Sequence, residues 1–102
     1  MKTVWIGLLN LSGSPNNPIL EGCLGAFVNV LAYVKNSDDF VEVVSDKLSE
    51  MELILEEVIW SESLETRLQK YDIEDYLLEL ATTINNQKEC YFGIFHVWEN
   101  DD

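Results

Sequence analysis

Nearly every position from Thr3 to Leu11 is apolar, with β-branched and aromatic residues at the start of the run. That pattern predicts a strand covered on both faces. Ser12 to Pro18 (SGSPNNP) then reads as a loop, because proline removes donors and Gly, Asn and Ser favour turns. It is the segment expected to move most. From Leu24 to Lys35 the period is two: Phe27, Asn29, Leu31 and Tyr33 fall on one face, and Val28, Val30, Ala32 and Val34 on the other. Both faces are largely apolar, as in an interior strand. Asn29 is the exception, and it is read as a residue satisfied by hydrogen bonds within the sheet.

Past Asn36 the period lengthens. Ser37 is placed as the cap of a helix whose positive end suits Asp38 and Asp39. Phe40, Val44, Leu48 and Met51, widened by Val43, form its apolar stripe, and Glu42, Asp46 and Glu50 face water. A strand follows near Leu53 to Ser61. Glu56 and Glu57 interrupt its alternation, so one of them points to the covered side or the strand carries a bulge. Charge on an edge strand also blocks unwanted pairing. Ser61 to Lys70 fits an irregular stretch, a short strand or a helical turn. Asp72 is placed as the cap of a second helix, with Glu74 and Asp75 in its first turn. Ile73, Leu77, Leu80 and Ile84 form its buried face, joined by Tyr76 and Ala81. Asn85 to Lys88 ends that helix. The last strand runs Glu89 to Trp98, alternating Tyr91, Gly93, Phe95 and Val97 against Phe92, Ile94, His96 and Trp98. Glu99 to Asp102 is an acidic tail expected to fray.

Strand, strand, helix, strand, helix, strand is an α+β order. The expected architecture is a mostly antiparallel sheet of four to five strands with two helices on one face, a two-layer sandwich. From Phe27 onward the order fits a split βαβ arrangement, partly ferredoxin-like, if Ser61 to Leu68 supplies a missing strand. No internal repeat or low-complexity tract interrupts it, and residues 1–102 are expected to form a single domain.

Composition adds a sign to this picture. The chain is 47% hydrophobic and 25% charged, which is globular, yet its net charge is -13. Such a surplus makes the folded state repel itself. It opposes nucleic acid and anionic membranes as partners and favours cationic proteins. Cys23 and Cys90 make no disulfide framework and are read as reduced, largely buried thiols. The apolar run near the N-terminus is broken by Gly7 and Asn10, so no cleaved leader is expected. No run approaches the roughly 18 apolar residues that span a bilayer. The expected location is the cytoplasm.

The chain carries few signatures of chemistry. One histidine and two distant cysteines, with no C-x-x-C or H-E-x-x-H spacing, imply no metal. His96 alternates with Phe92, Ile94 and Trp98 and is read as a packed, hydrogen-bonded sheet residue. Cys90 and His96 share a strand but lie about 20 Å apart at about 3.3 Å per residue, too far to form a nucleophile pair. Among nineteen acidic residues some pair always lies at a hydrolytic spacing, so that spacing identifies nothing. The glycines match neither dinucleotide nor phosphate loops. No catalytic residue, metal or cofactor is expected.

What remains is the acidic stretch between Glu50 and Glu79, with aromatic residues set into it. Binding surfaces concentrate energy in a few aromatic anchors and use a charged rim to steer and select the partner. The candidate contacts are Glu56, Glu57, Trp60, Glu62, Glu65, Asp72, Glu74 and Asp75. In size, charge and expected architecture the chain resembles the immunity proteins of bacterial toxin systems, including contact-dependent growth inhibition. Gly25 to Ala32 (GAFVNVLA) and Phe92 to His96 (FGIFH) look like family signatures, and both read as buried strands. The resemblance implies a cytoplasmic immunity protein that occludes a cognate basic toxin domain, a nuclease. The alternative is a phage-type DNA mimic that inhibits a restriction or CRISPR effector, with carboxylates spaced like phosphates. A small hydrolase or ligand-binding domain would need a deep pocket holding Cys23 or His96.

Overall fold

The computed structural model describes residues 2–14, 16–84 and 90–98. Its strands are β1 (Thr3–Gly13), β2 (Gly25–Val34), β3 (Leu53–Ser63) and β4 (Cys90–Trp98), and its helices are α1 (Ser37–Glu50), α2 (Leu64–Lys70) and α3 (Asp75–Thr83). The strands form one antiparallel sheet in the order β3-β1-β2-β4. The α+β class expected from the pattern is therefore the one observed. β2, α1 and β3 make a split βαβ unit with β1 between its parallel strands. A ferredoxin-like order is not formed, because β1 pairs on both sides with antiparallel neighbours and Ser61 to Leu68 supplies no extra strand. Ser61–Ser63 ends β3, and Ser63 Oγ caps α2 by accepting the Thr66 N–H at 3.2 Å.

The helices lie on both faces of the sheet, not on one. Phe40, Val44 and Leu48 of α1 pack with Leu9, Leu11, Val28 and Ala32 on the first face. Leu77 of α3 packs with Ile6 and Leu31 on the second, joined by Ile73, Tyr76, Leu80 and Ala81. The reason is in β1 and β2. Both strands are apolar on both sides, and a sheet with two apolar faces needs cover on each. The connection from β3 to β4 joins opposite edges and crosses the second face on its way.

Several local expectations shift. Ser12 and Gly13 belong to β1. The loop after them is tied down by Asn17, whose Nδ2 donates to Met51 O at 2.9 Å while its Oδ1 accepts the Ile19 N–H at 3.0 Å. Asn36, not Ser37, caps α1: its Oδ1 accepts the Asp39 N–H at 2.9 Å, and Asp39 reaches back to the Lys35 N–H at 3.0 Å. Asp72 is not a cap, because α3 starts after Glu74 and has no side-chain cap. In β4 a register shift between the partners of Val28 and Val30 breaks the simple alternation. Phe92, Phe95 and Val97 pack on the α1 side. Glu89, the turn Asn85–Lys88 and the tail Glu99–Asp102 lie outside the described residues.

Candidate partner-binding surface

β3 decides where the central carboxylates go. Its pairing with β1 slips twice, between Leu8 and Leu9 and between Asn10 and Leu11. Leu53, Leu55 and Val58 face α1. Ile54 and Glu57 lie opposite Ser12 and Asn10 on the second face. Glu56 is the extra residue of one bulge, and its carboxylate accepts a hydrogen bond from Ser12 Oγ on that same face. A bulge lets two successive side chains share a face, which strict alternation forbids. It sets Glu56 and Glu57 side by side, both exposed.

α2 and α3 cover only one end of this second face. Beyond them nothing among the described residues covers the sheet, and Phe27, Ile54 and Ile94 are 38%, 60% and 59% exposed. Trp98 lies over Gly25 and donates Nε1–H to Asn10 Oδ1 at 3.0 Å, so its indole is held against this floor. His96, opposite Phe27, is exposed there and is not the packed residue the alternation suggested. The result is a mixed floor, in which Ile54, Phe27, Ile94 and Trp98 are set among Asn10, Ser12 and His96, with two carboxylates at its β3 side.

Between the open half and α3 lies a cleft of about 290 Å³, lined by Leu8, Asn29, Trp60, Arg67, Asp72 and Glu74 among others. Its floor is the paired Leu8 and Asn29, one step along from the paired Asn10 and Phe27. Its wall is a stack. The Arg67 guanidinium lies 3.7 Å from the Trp60 ring centroid and 3.9 Å from that of Tyr71. Arg67 Nη1 also pairs with Glu62 Oε2 at 3.1 Å, and Lys70 Nζ with Glu62 Oε1 at 3.2 Å. Desolvation pushes the Glu62 carboxyl up, but the hydrogen bonds and charges of Arg67 and Lys70 outweigh it and hold the group below its ordinary value.

The eight expected contacts thus separate. Glu56 and Glu57 border the open floor, and Asp72 and Glu74 line the cleft beside it. Trp60 is not a bare anchor, because Arg67 covers it, and Glu62 already holds two cations. Glu65 on α2 and Asp75 at the start of α3 are exposed and line neither feature. Sequence reasoning missed Phe27, Ile54, Ile94 and Trp98 as surface residues. Their alternation was readable, but nothing in it told which faces a short helix would leave uncovered.

A second acidic feature lies on the opposite side. Asp38, Glu42, Asp46 and Glu50 are all exposed along α1. At four residues apart they stand about 6 Å from one another along the axis, and Lys47 pairs with the last at 3.8 Å. Among the described residues no three His, Cys, Asp or Glu side chains are grouped to hold a metal ion, and no helix is long and apolar enough to cross a membrane. Cys90 is buried and Cys23 half-buried, and neither lines the cleft. No family model matches this chain, and neither a curated protein nor a solved structure does.

Proposed function

We propose that this chain is a stoichiometric inhibitor that binds a cationic protein, of the toxin-immunity kind, and occludes the basic groove of a nuclease domain. The observation that carries this reading is the compact patch on the open sheet face. Exposed apolar side chains (Phe27, Ile54, Ile94) lie there beside exposed carboxylates (Glu56, Glu57). A specific interface needs both parts: an apolar centre that loses water and a charged rim that steers encounter. The excess of thirteen negative charges supplies the long-range attraction.

Rescue is the test. The reading expects a large exported protein with a basic C-terminal domain in the reading frame directly upstream, and that domain is expressed with and without this chain. Growth arrest relieved by the chain, together with a one-to-one complex by light scattering, supports the reading. Arrest that the chain leaves untouched, or substrate turnover by the chain itself, overturns it.

The four spaced carboxylates of α1 favour the DNA-mimic reading as the alternative. Like charges at i,i+4 destabilise a helix by about 0.2–0.5 kcal/mol per pair, and this helix carries them in succession. The row has less apolar surface beside it than the sheet patch. Charge neutralisation separates the two: loss of inhibition by Glu42→Gln/Asp46→Gln assigns the row, and loss by Glu56→Gln/Glu57→Gln assigns the patch.

A further inference from the structure

We infer that the uncovered half of the second face is completed, in the complex, by a basic amphipathic helix of the partner seated beside α3. This inference rests on the reading above and specifies its occupant. The first observation is a mismatch of lengths. β1 and β3 have 11 residues each, whereas the two helices on this face, α2 over β1 and β3 and α3 over β2, have only 7 and 9. At about 3.3 Å per strand residue and about 1.5 Å per helix residue, each of these helices is less than half as long as the strands beneath it. The first face is covered further, since α1 has 14 residues and Ile19 and Leu20 extend its cover.

The second observation is what the gap exposes. Four strands spaced about 4.8 Å apart present a floor about 14 Å across between outer axes, and one helix is about 10–12 Å wide. Phe27, Ile54 and Ile94 would meet the apolar stripe of such a helix. Glu56 and Glu57 stand at the β3 side and Asp72 and Glu74 at the end nearest α3, where the flanking positions of that helix would come. Among the described residues no unpaired cation shares this half. Lys2 and Lys35 lie at the other end of β1 and β2, Lys47 is on α1, and Arg67 and Lys70 are held by Glu62. The flanking side chains that fit are therefore Lys and Arg.

A second copy of the chain fits less well, because it would set Glu56 and Glu57 against an equally negative surface. Nucleic acid is opposed by the same sign.

The probe is a synthetic helix of about 18 residues built from Leu and Lys with a single apolar face, compared with its Leu/Glu counterpart. It is titrated into the intact, isotope-labelled chain, and binding is mapped by amide shifts. The expected result is that the Leu/Lys peptide shifts Phe27, Ile54, Ile94 and His96. Phe27→Ser and Ile54→Ser, shown by circular dichroism to fold, should then weaken it by about tenfold. Glu42→Gln/Asp46→Gln should change it less than about twofold. Shifts concentrated on α1, or equal weakening by both pairs of variants, overturn the docking face while leaving a basic partner in place. No binding of the Leu/Lys peptide, or equal binding of the Leu/Glu one, overturns the basic-partner reading as well. A concentration-dependent dimer abolished by Phe27→Ser assigns the face to a second copy and overturns the inference.

Discussion

The Trp98 indole reaches from β4 across β2 to Asn10 on β1, donating Nε1–H to Asn10 Oδ1 at 3.0 Å with Gly25 directly beneath the ring. Three strands are tied by one side chain at the open end of the sheet. A Cβ on residue 25 would stand 2.1 Å from Trp98 Cζ2 and 2.5 Å from Leu11 O. Gly25→Ala should therefore destabilise the fold by about 1–3 kcal/mol through overpacking. Urea denaturation measures the loss, and a change in tryptophan emission reports the displaced indole. An unchanged midpoint would show that the ring moves aside without consequence.

Gly7 and Phe40 are coupled in the same manner on the first face, where a Cβ at residue 7 would lie 2.6 Å from Phe40 Cζ. Phe40 is fully buried. Gly7→Ala should cost about 1–3 kcal/mol and Phe40→Leu about 1 kcal/mol. The double variant should fall short of the sum by at least about 0.5 kcal/mol, because the smaller ring-free side chain removes the clash. Additive values in a double-mutant cycle would show that the two sites do not share this space.

Arg67 joins α2 to β3 by charge and by stacking at once, with Trp60 and Tyr71 on its guanidinium and Glu62 at its edge. Arg67→Lys keeps the charge and loses the planar stack. It should recover less than half of the stability lost in Arg67→Ala, itself about 1–2 kcal/mol. Full recovery by lysine would assign the whole effect to charge.

The acid limb of stability carries a signature of Glu62. Its folded carboxyl titrates below its ordinary value of 4.5. The stabilisation is thus present above that value and is lost as pH falls through the lower, folded one. Wild type should be more stable than Glu62→Gln near neutrality, and the difference should shrink as acid is added below 4.5. Removing both cations, in Arg67→Ala/Lys70→Ala, should flatten it. A difference that grows in acid would give the shift the opposite sign.

A net charge of -13 on 102 residues predicts an unusual response to salt. Raising sodium chloride from about 0.05 M to about 0.5 M shortens the Debye length from roughly 14 Å to roughly 4 Å. Self-repulsion is screened more than the few close ion pairs are, so Tm should rise by a few degrees. Sucrose of equal osmolality controls for general exclusion. A falling Tm would mean that attraction between charges, not repulsion, dominates the fold.

The strands and helices were largely legible because their periods are clean. The Phe40–Val44–Leu48 stripe, the two-sided apolarity of β2 and the buried face led by Leu77 were all readable. The bulge at Glu56 was readable as one of two alternatives, since two carboxylates in succession cannot alternate. The distribution of helices between faces was not readable, because periodicity states that a face is covered without stating by what. His96 misled for a related reason. Alternation with Phe92 and Trp98 means burial only where a second layer exists, and α3 stops short of it. Arg67 escaped notice as a site residue because stacking between Trp60 and Tyr71 depends on a helical turn that the segment's composition left undecided.

The placement of β4 beside β2 has a consequence for synthesis. The chain is made from its N-terminus, so β1, β2 and β3 emerge well before the strand that pairs with the far side of β2. Until Cys90–Trp98 leaves the ribosome, the hydrogen-bonding groups along that side of β2 have no partner strand. The nascent molecule therefore waits on β4, and a ribosome that stalls shortly before it leaves a product with one sticky, unsealed border.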